Sequence, residues 1–451
     1  MKMKFQKLKA SIMRKHLSPF QVITYGFAAV IFVGSILLTL PISTKDGLGA
    51  SFFDSLFTAT SAVCVTGLVV HDTATYWSSF GQGVILFLIQ IGGMGVVTIS
   101  VAMAKIAGRK IGLAQRRTMQ EAISAPHVGG IVKFTDFIIK TTITVELVGA
   151  LILSPVFCKE FGILKGIWYS LFHSVSAFCN AGFDLLGVRE QYSSLTSYVS
   201  NPLINFTIMA LIVVGGLGFM TWRDVIANKW HFKKYKLQSK VVLIVTLVLI
   251  VIPAIYFFFY EYSDLKLGER ILASLFQSVT PRTAGFNTTD LNELTENGKF
   301  LTILLMITGG SPGSTAGGMK TTTIAVLFAS AVAVFKRSEN AQFFGRRIGN
   351  DTVRYALTIL LMYLTLFITG GFIISMIEDL PLLSCLFETA SAIGTVGLSL
   401  GITPDLSFIS KLVLILLMFL GRVGSLTLVF AAVSGYHIKV SKLPQEKITV
   451  G

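Results

Sequence analysis

The sequence predicts an all-α integral membrane protein in which four repeats of helix, pore loop and helix surround a central pore, with eight transmembrane helices in all. Three observations lead to this fold class: an apolar composition, an alternation of long and short apolar segments, and a short segment that recurs four times. Of the 451 residues, 53% are hydrophobic and 14% are charged. Soluble domains carry about 25% charged residues, so the composition indicates a membrane protein.

Two lengths of apolar segment alternate along the chain. The long segments can each cross about 30 Å of hydrocarbon, and they lie near 18–41, 80–104, 134–157, 201–222, 241–260, 299–335, 352–377 and 407–436. The short segments cannot span and are predicted to be re-entrant half-helices, near 51–63, 166–178, 271–280 and 382–393. The predicted boundaries are a tail at 1–17, repeats at 18–107, 134–222, 241–335 and 352–436, and a second tail at 437–451.

The basic residues fix the predicted orientation. A net charge of +15 could indicate nucleic-acid binding, but the basic residues lie in short blocks, in residues 1–17, 105–133, 223–240 and 336–351. Such blocks between apolar runs are typical of membrane-protein loops. The positive-inside rule therefore predicts that these blocks and both termini are cytoplasmic, and that all four short segments enter from the outer side. We expect contact with membrane lipid and no nucleic-acid partner.

Cysteines and the N-terminus suggest no further chemistry. The four cysteines form no C-x-x-C pair and have no histidine cluster beside them, so we expect no bound cofactor and no metal other than the ion in the pore. The first apolar run is about 20 residues long, which is too long for a signal-peptide core and indicates a retained span.

The four short segments repeat one another. They read SLFTATSAVCVTGL (55–68), SLFHSVSAFCNAGF (170–183), SLFQSVTPRTAGF (274–286) and CLFETASAIGTVGL (385–398). A cation that crosses hydrocarbon exchanges its water shell for other oxygens, which inward-pointing backbone carbonyls can supply where glycine permits the backbone angles. The predicted selectivity filter is Val65, Thr66 and Gly67; Asn180, Ala181 and Gly182; Thr283, Ala284 and Gly285; and Thr395, Val396 and Gly397.

Each second helix also carries a G-x-x-G pattern. The pairs are Gly92 and Gly95, Gly215 and Gly218, Gly310 and Gly313, and Gly421 and Gly424. For any one pair, close helix packing is the simpler interpretation. Four pairs in register favour a shared position that lines the pore.

The sixth long segment, 299–335, is too long for one span, and GGSPGSTAGG at 309–318 cannot continue a helix. A flexible connector is one interpretation, but apolar helix flanks this stretch on both sides. A phosphate-binding loop is excluded because Met319 separates Gly318 from Lys320 and no strand precedes the segment.

The four modules with VTGL, NAGF, TAGF and TVGL, together with TGGSPGSTAGGMKT (308–321), resemble the Trk/Ktr/HKT potassium-transporter superfamily. The resemblance covers nearly the whole chain and is closest to KtrB-type membrane subunits of bacterial Ktr systems. It implies potassium uptake in a bacterial plasma membrane, a homodimer with one pore per protomer, and a cytosolic, KtrA-type nucleotide-binding ring. It also implies an intramembrane gate at Gly309, Gly310, Ser311, Pro312, Gly313, Ser314, Thr315, Ala316, Gly317 and Gly318.

The resemblance bears on ion preference. The chain lacks the TVGYG of tetrameric potassium channels and has one glycine per loop, which predicts weaker discrimination against sodium. Sodium is thus a second candidate as a transported or activating ion. Plant relatives that transport sodium carry serine at the first filter glycine, whereas Gly67 here favours potassium.

Three of the charged residues within the predicted spans are candidates for a specific role. Arg422 lies mid-span, where a charge normally faces a cavity or a partner; we expect it to donate to gate carbonyls and to repel cations when the gate is shut. Lys320 ends the broken segment and either acts similarly or extends toward the membrane surface. Glu146 lies six residues after Lys140, a spacing that disfavours pairing on one helix face, so an interhelical contact is expected.

The predicted function is a gated cation-conducting subunit, not an enzyme, in which the membrane potential supplies about 2.3 kcal/mol per charge per 100 mV. A lipid-modifying enzyme would need a clustered reactive set, but the histidines are scattered along the chain. An alternating-access carrier would typically show inverted repeats, whereas these four repeats share one orientation.

Overall fold

A computed structural model describes residues 18–108, 111–123, 127, 129–424 and 427. The tails expected at 1–17 and 437–451, the basic residues Arg109 and Lys110, and the end of the fourth repeat (425–436 apart from Thr427) lie outside the described residues.

Each of the four repeats begins with a long helix. These are α1 (Pro19–Thr39), α6 (Ile131–Phe161), α10 (Leu237–Tyr256, continued by a π-turn at Phe257–Glu261) and α14 (Asn350–Glu378). All four are long and apolar enough to cross a membrane. The start of α1 shows how the sequence sets a boundary: Ser18 and Gln21 form a capping box and Pro19 occupies the first helical position.

A short pore helix follows each long helix. The pore helices are α2 (Phe52–Cys64), α7 (Ile163–Phe178), α11 (Leu267–Val279) and α15 (Leu382–Gly394). They occupy the four predicted half-helix segments. Their C-terminal halves are buried and their first turns are more exposed, as in α2 and α15. The pore helices therefore point their C-terminal ends into the protein.

The second helix is broken in the first three repeats, and in the fourth repeat its described part ends at Val423. The segments are α3 (Ser79–Met94) with α4 (Val96–Ile106), α8 (Pro202–Gly216) with α9 (Phe219–Asn228), α12 (Glu296–Ile307) with α13 (Thr321–Phe335), and α16 (Phe408–Val423). The first two pairs bend by 97° and 98°. These bends differ from the continuous spans expected at 80–104 and 201–222. When each bent pair is counted as one span, the described residues contain up to six candidate spans, so the expected eight are not confirmed.

The two glycines of G-x-x-G explain the breaks. The second glycine adopts a positive φ that other residues avoid: 84° at Gly95, 86° at Gly218 and 89° at Gly424. The first glycine packs against a pore helix; a Cβ on Gly92 or Gly421 would overlap the carbonyl oxygen of Val63 or Ile393. The first glycine of the motif thus allows close packing, and the second allows the chain to change direction.

The connecting segments contain little regular structure. The basic segment between repeats 1 and 2 includes α5 (Leu113–Ile123), and the one before α14 contains a hairpin of β1 (Gln342–Phe343) and β2 (Arg346–Arg347). This hairpin is the departure from an all-α fold within the described part of the chain. Short 3-10 helices lie at Pro41–Ser43, Leu186–Val188, Thr196–Tyr198, Phe232–Lys234, Leu291–Glu293 and Thr403–Asp405.

Candidate functional site

The four predicted filter tripeptides directly follow the pore helices and share one backbone conformation. The first residue of each is left-handed, with φ of 56° at Val65, 59° at Asn180, 69° at Thr283 and 51° at Thr395. Val65, Thr283 and Thr395 are β-branched, and left-handed β-branched residues are uncommon and persist only where the surroundings hold them. The glycine of each tripeptide also has positive φ, from 71° to 95°.

The four filter glycines meet in a closed ring. A Cβ added to any of these glycines would contact the backbone of the next glycine in the ring. The order of the contacts is Gly67 to Gly182, Gly182 to Gly285, Gly285 to Gly397, and Gly397 back to Gly67. In each case the atom nearest to the added Cβ is the carbonyl oxygen of the residue that precedes the neighbouring glycine. The structure thus brings all four tripeptides together in chain order and leaves no room for side chains at the glycines.

A hydroxyl near the end of each pore helix holds its filter strand. Ser61 and Ser391 accept from the N–H groups of Gly67 and Gly397, both at 3.0 Å. In the other two repeats, the hydroxyls of Ser176 and Thr280 donate to the carbonyls of the residues that follow the glycines, at 2.7 and 2.5 Å. These anchors were missed at the sequence level, although a serine or threonine stands five or six residues before every filter glycine.

A cavity of about 450 Å³ opens on one side of the glycine ring, and we call it the vestibule. All four ring glycines line it. One aspartate from each repeat also lines it, namely Asp72, Asp184, Asp290 and Asp405, and no lysine or arginine does so among the described residues. The vestibule therefore presents negative potential to the ring, a property that concentrates cations.

Asp184 is the vestibule carboxyl that lies nearest in sequence to a ring glycine, two residues after Gly182. It lies in the loop between α7 and α8, outside the spanning helices, and its Oδ1 accepts from the N–H of Leu186 at 2.9 Å. Burial raises the pKa of Asp184 to about 7, the Leu186 hydrogen bond opposes this shift, and the charge of Asp72 adds to it. Asp184 therefore changes charge near neutral pH.

The segment predicted to break the sixth span forms a compact turn, which we call the intramembrane loop (residues 308–320). Its two ends are joined by a hydrogen bond from the N–H of Gly309 to the carbonyl of Met319, at 2.8 Å. It is tied to the second repeat where α8 breaks, since Ser311 donates to Gly216 at 2.9 Å and Phe219 donates to the carbonyl of Gly313 at 2.9 Å. The loop is thus packed into the protein rather than lying free.

Arg422 from α16 and Lys320 at the end of the intramembrane loop both donate to carbonyls in residues 315–317 of that loop. The Arg422 guanidinium donates to the carbonyl oxygens of Thr315 and Gly92, and to that of Gly93 at 3.2 Å. The Lys320 ammonium donates to the carbonyls of Ala316 and Gly317 at 2.9 and 3.1 Å. Both cations line a second cavity of about 320 Å³, the inner cavity, together with Gly313 and the glycines that follow α3 and α16, Gly95 and Gly424.

Glu146 makes the interhelical contact expected for it. Its carboxylate accepts from the side-chain amide of Gln90 on α3 at 3.0 Å, and from the thiol of Cys179 at 3.7 Å. Cys179 directly precedes the second filter tripeptide. Glu146 therefore contacts the residue next to the second predicted filter tripeptide. Within the described residues, no group of three histidine, cysteine or acidic side chains could hold a metal ion.

Comparison with known proteins gives consistent matches over nearly the whole chain. The family described as "TrkH: Cation transport protein" matches residues 2–440. The chain is 44% identical to the potassium/sodium uptake protein NtpJ of Enterococcus hirae, over 97% of this chain and 98% of that protein. It is 42% identical to the Ktr system potassium uptake protein B of Bacillus subtilis, over 92% and 93% of the two chains.

A solved structure has the same fold. The crystal structure of the potassium transporter TrkH from Vibrio parahaemolyticus superposes with a TM-score of 0.74 and 20% sequence identity, and covers 92% of this chain and 85% of that one. The overall fold therefore belongs to an architecture known from experiment.

Proposed function

Because the chain belongs to the TrkH family of cation transport proteins, we propose that it is the ion-conducting subunit of a bacterial potassium-uptake system. The family resemblance predicted from the four modules is confirmed. Potassium is the transported ion, and sodium is a second candidate because one relative is named a potassium/sodium uptake protein. The chain performs no covalent chemistry and needs no cofactor, since the membrane potential drives the flux.

The closed ring of four glycines carries this proposal. A cation enters through the vestibule, where four aspartates raise its local concentration. It then exchanges water for the carbonyl oxygens of Thr66, Ala181, Ala284 and Val396, each of which lies against a neighbouring ring glycine. The C-terminal ends of four pore helices, which carry partial negative charge, face the same point.

The intramembrane loop acts as the gate, with residues 309–318 below the ring and Lys320 and Arg422 holding them. Both cations donate hydrogen bonds to loop carbonyls and place positive charge at the inner cavity. Displacement of the loop would remove both the obstruction and the repulsion of a cation. The loop therefore limits flux through the ring.

The distribution of basic residues indicates how the protein is oriented in the membrane. The vestibule faces outward, the basic segments and both termini lie in the cytoplasm, and the protein is a multi-pass component of the plasma membrane surrounded by lipid. We propose a homodimer bound to a cytosolic, KtrA-type nucleotide-binding ring. The name of the Bacillus subtilis relative, Ktr system potassium uptake protein B, denotes one component of a larger system and supports a partner subunit.

The β1–β2 hairpin is well placed to receive that partner. Arg346 and Arg347 are exposed on it, and it follows α13, which begins where the intramembrane loop ends. Ile348 and Ala341 pack against Ala329 of α13, so force on the hairpin is transmitted to this helix. The hairpin therefore connects a cytoplasmic surface to the gate.

Ion flux into proteoliposomes tests the function. Purified protein is reconstituted with a potassium gradient, and uptake is followed with an impermeant potassium dye, with empty vesicles as the control. We expect flux that follows the potassium gradient and the imposed potential without ATP. A folded, reconstituted protein that carries neither potassium nor sodium would overturn the proposal.

A further inference from the structure

Asn180 differs chemically from its counterparts in the ring. The first filter residue is valine in the first repeat and threonine in the third and fourth, but it is asparagine in the second. An asparagine side chain offers two N–H donors and a carbonyl acceptor. Asn180 is fully buried, so each of these groups needs a partner inside the protein.

The Asn180 side chain joins three parts of the pore. Its Nδ2 lies 3.4 Å from the carbonyl oxygen of Ile212 on α8 and 3.4 Å from that of Arg282, which directly precedes the third filter tripeptide. Its Oδ1 lies 3.1 Å from the hydroxyl of Thr315 in the intramembrane loop. That hydroxyl also lies 3.0 Å from the carbonyl of Phe178, at the end of the second pore helix.

Gly215 makes this junction possible. A Cβ at this position would lie 2.8 Å from the Asn180 Oδ1 and 2.9 Å from the Thr315 hydroxyl. The Gly215 carbonyl also accepts from the N–H of Thr315 at 3.3 Å. The contact between loop and filter therefore belongs to the same glycine motif that packs α8 against its pore helix.

We propose that Asn180 and Thr315 couple the gate to the selectivity filter, so that the position of the intramembrane loop sets the preference among cations as well as the flux. This inference rests on the proposed function. When Thr315 moves away, the buried Asn180 Oδ1 loses its partner and the amide reorients. The Arg282 carbonyl then loses its donor, and the adjacent Thr283–Gly285 strand of the ring shifts. The preference for potassium over sodium depends on the positions of the ring carbonyls, so this preference changes with the position of the loop.

Thr315→Val tests the coupling, because valine keeps the shape of threonine and removes the hydroxyl. Potassium and sodium fluxes are measured separately in proteoliposomes, and their ratio is compared with that of the wild type. We expect the ratio to change by about two- to tenfold, the range that loss of one hydrogen bond produces. Thr315→Ser keeps the hydroxyl and should restore the wild-type ratio. Thr365→Val is the matched control, since Thr365 is exposed on α14 and its hydroxyl donates to Leu361 of its own helix.

Asn180→Thr provides a second variant that places the residue of the third and fourth repeats in the second. It should shift the ratio in the same direction, and the double variant with Thr315→Val should add little, because both remove one interaction. If Thr315→Val scales both fluxes equally, or if the two changes are additive, the loop and the filter act independently and the coupling is wrong. Absence of flux in the wild-type protein would instead refute the proposed function itself.

Discussion

Replacement of Arg422 by alanine should raise basal potassium flux. The guanidinium joins the intramembrane loop to the first repeat, through Thr315 on one side and Gly92 and Gly93 on the other. A hydrogen bond from a charged donor contributes about 1.5–3 kcal/mol. Loss of the Thr315 bond alone should therefore shift the balance between displaced and seated loop by roughly 10- to 150-fold. Loss of the positive charge from the inner cavity acts in the same direction.

The assay is initial potassium flux per reconstituted protein, with Arg422→Lys as the matched control. Lysine keeps the charge but lacks the planar fork that reaches two carbonyls at once. Its flux should fall between that of the wild type and that of Arg422→Ala. If Arg422→Ala remains folded and monodisperse yet conducts no faster than the wild type, Arg422 does not hold the gate shut.

Three further predictions concern the ring, the hairpin and the vestibule. Gly67→Ser introduces a Cβ 2.5 Å from the Ala181 carbonyl oxygen at a φ of 93°, so the potassium-to-sodium flux ratio should fall by roughly tenfold; an unchanged ratio would remove Gly67 from the filter. Charge reversal at Arg346 and Arg347 should weaken co-purification with the ring subunit and nucleotide-dependent activation, while basal flux persists; undiminished binding would exclude the hairpin as the contact. Because the pKa of Asp184 is raised to about 7, its carboxylate is charged above neutral pH and protonated below it, so potassium flux at low concentration should increase about twofold from pH 6 to pH 8. Asp184→Asn should flatten this dependence, and a profile identical to that of the wild type would assign the titration to another group.

The pore helices could be predicted from sequence because their pattern recurs. Leu-Phe followed by a glycine nine or ten residues later appears in all four repeats, and each such segment became a buried half-helix. The bends at Gly95 and Gly218 were missed because apolar residues continue through both. Hydropathy indicates whether a segment lies in an apolar environment, but it gives no information on the backbone angles of a single glycine.

The polar contacts around the filter were less accessible to sequence reasoning. The anchoring hydroxyls Ser61 and Ser391 precede their glycines by a fixed distance, so a closer comparison of the repeats could have found them. The vestibule aspartates follow their glycines at distances from two to eight residues, and no spacing rule connects them. The contact between Asn180 and Thr315 joins residues 135 positions apart and depends on how two broken helices pack.

The most direct measurement is the position of a heavy potassium analogue in the pore. Crystals grown with rubidium or thallium would show the ion by its anomalous scattering. The expected result is a peak on the axis of the ring, within coordination distance of the carbonyls of Thr66, Ala181, Ala284 and Val396, that potassium displaces in competition. A peak elsewhere in the membrane domain, with none at the ring in a preparation that conducts, would contradict the assignment of the four glycines as the ion pathway.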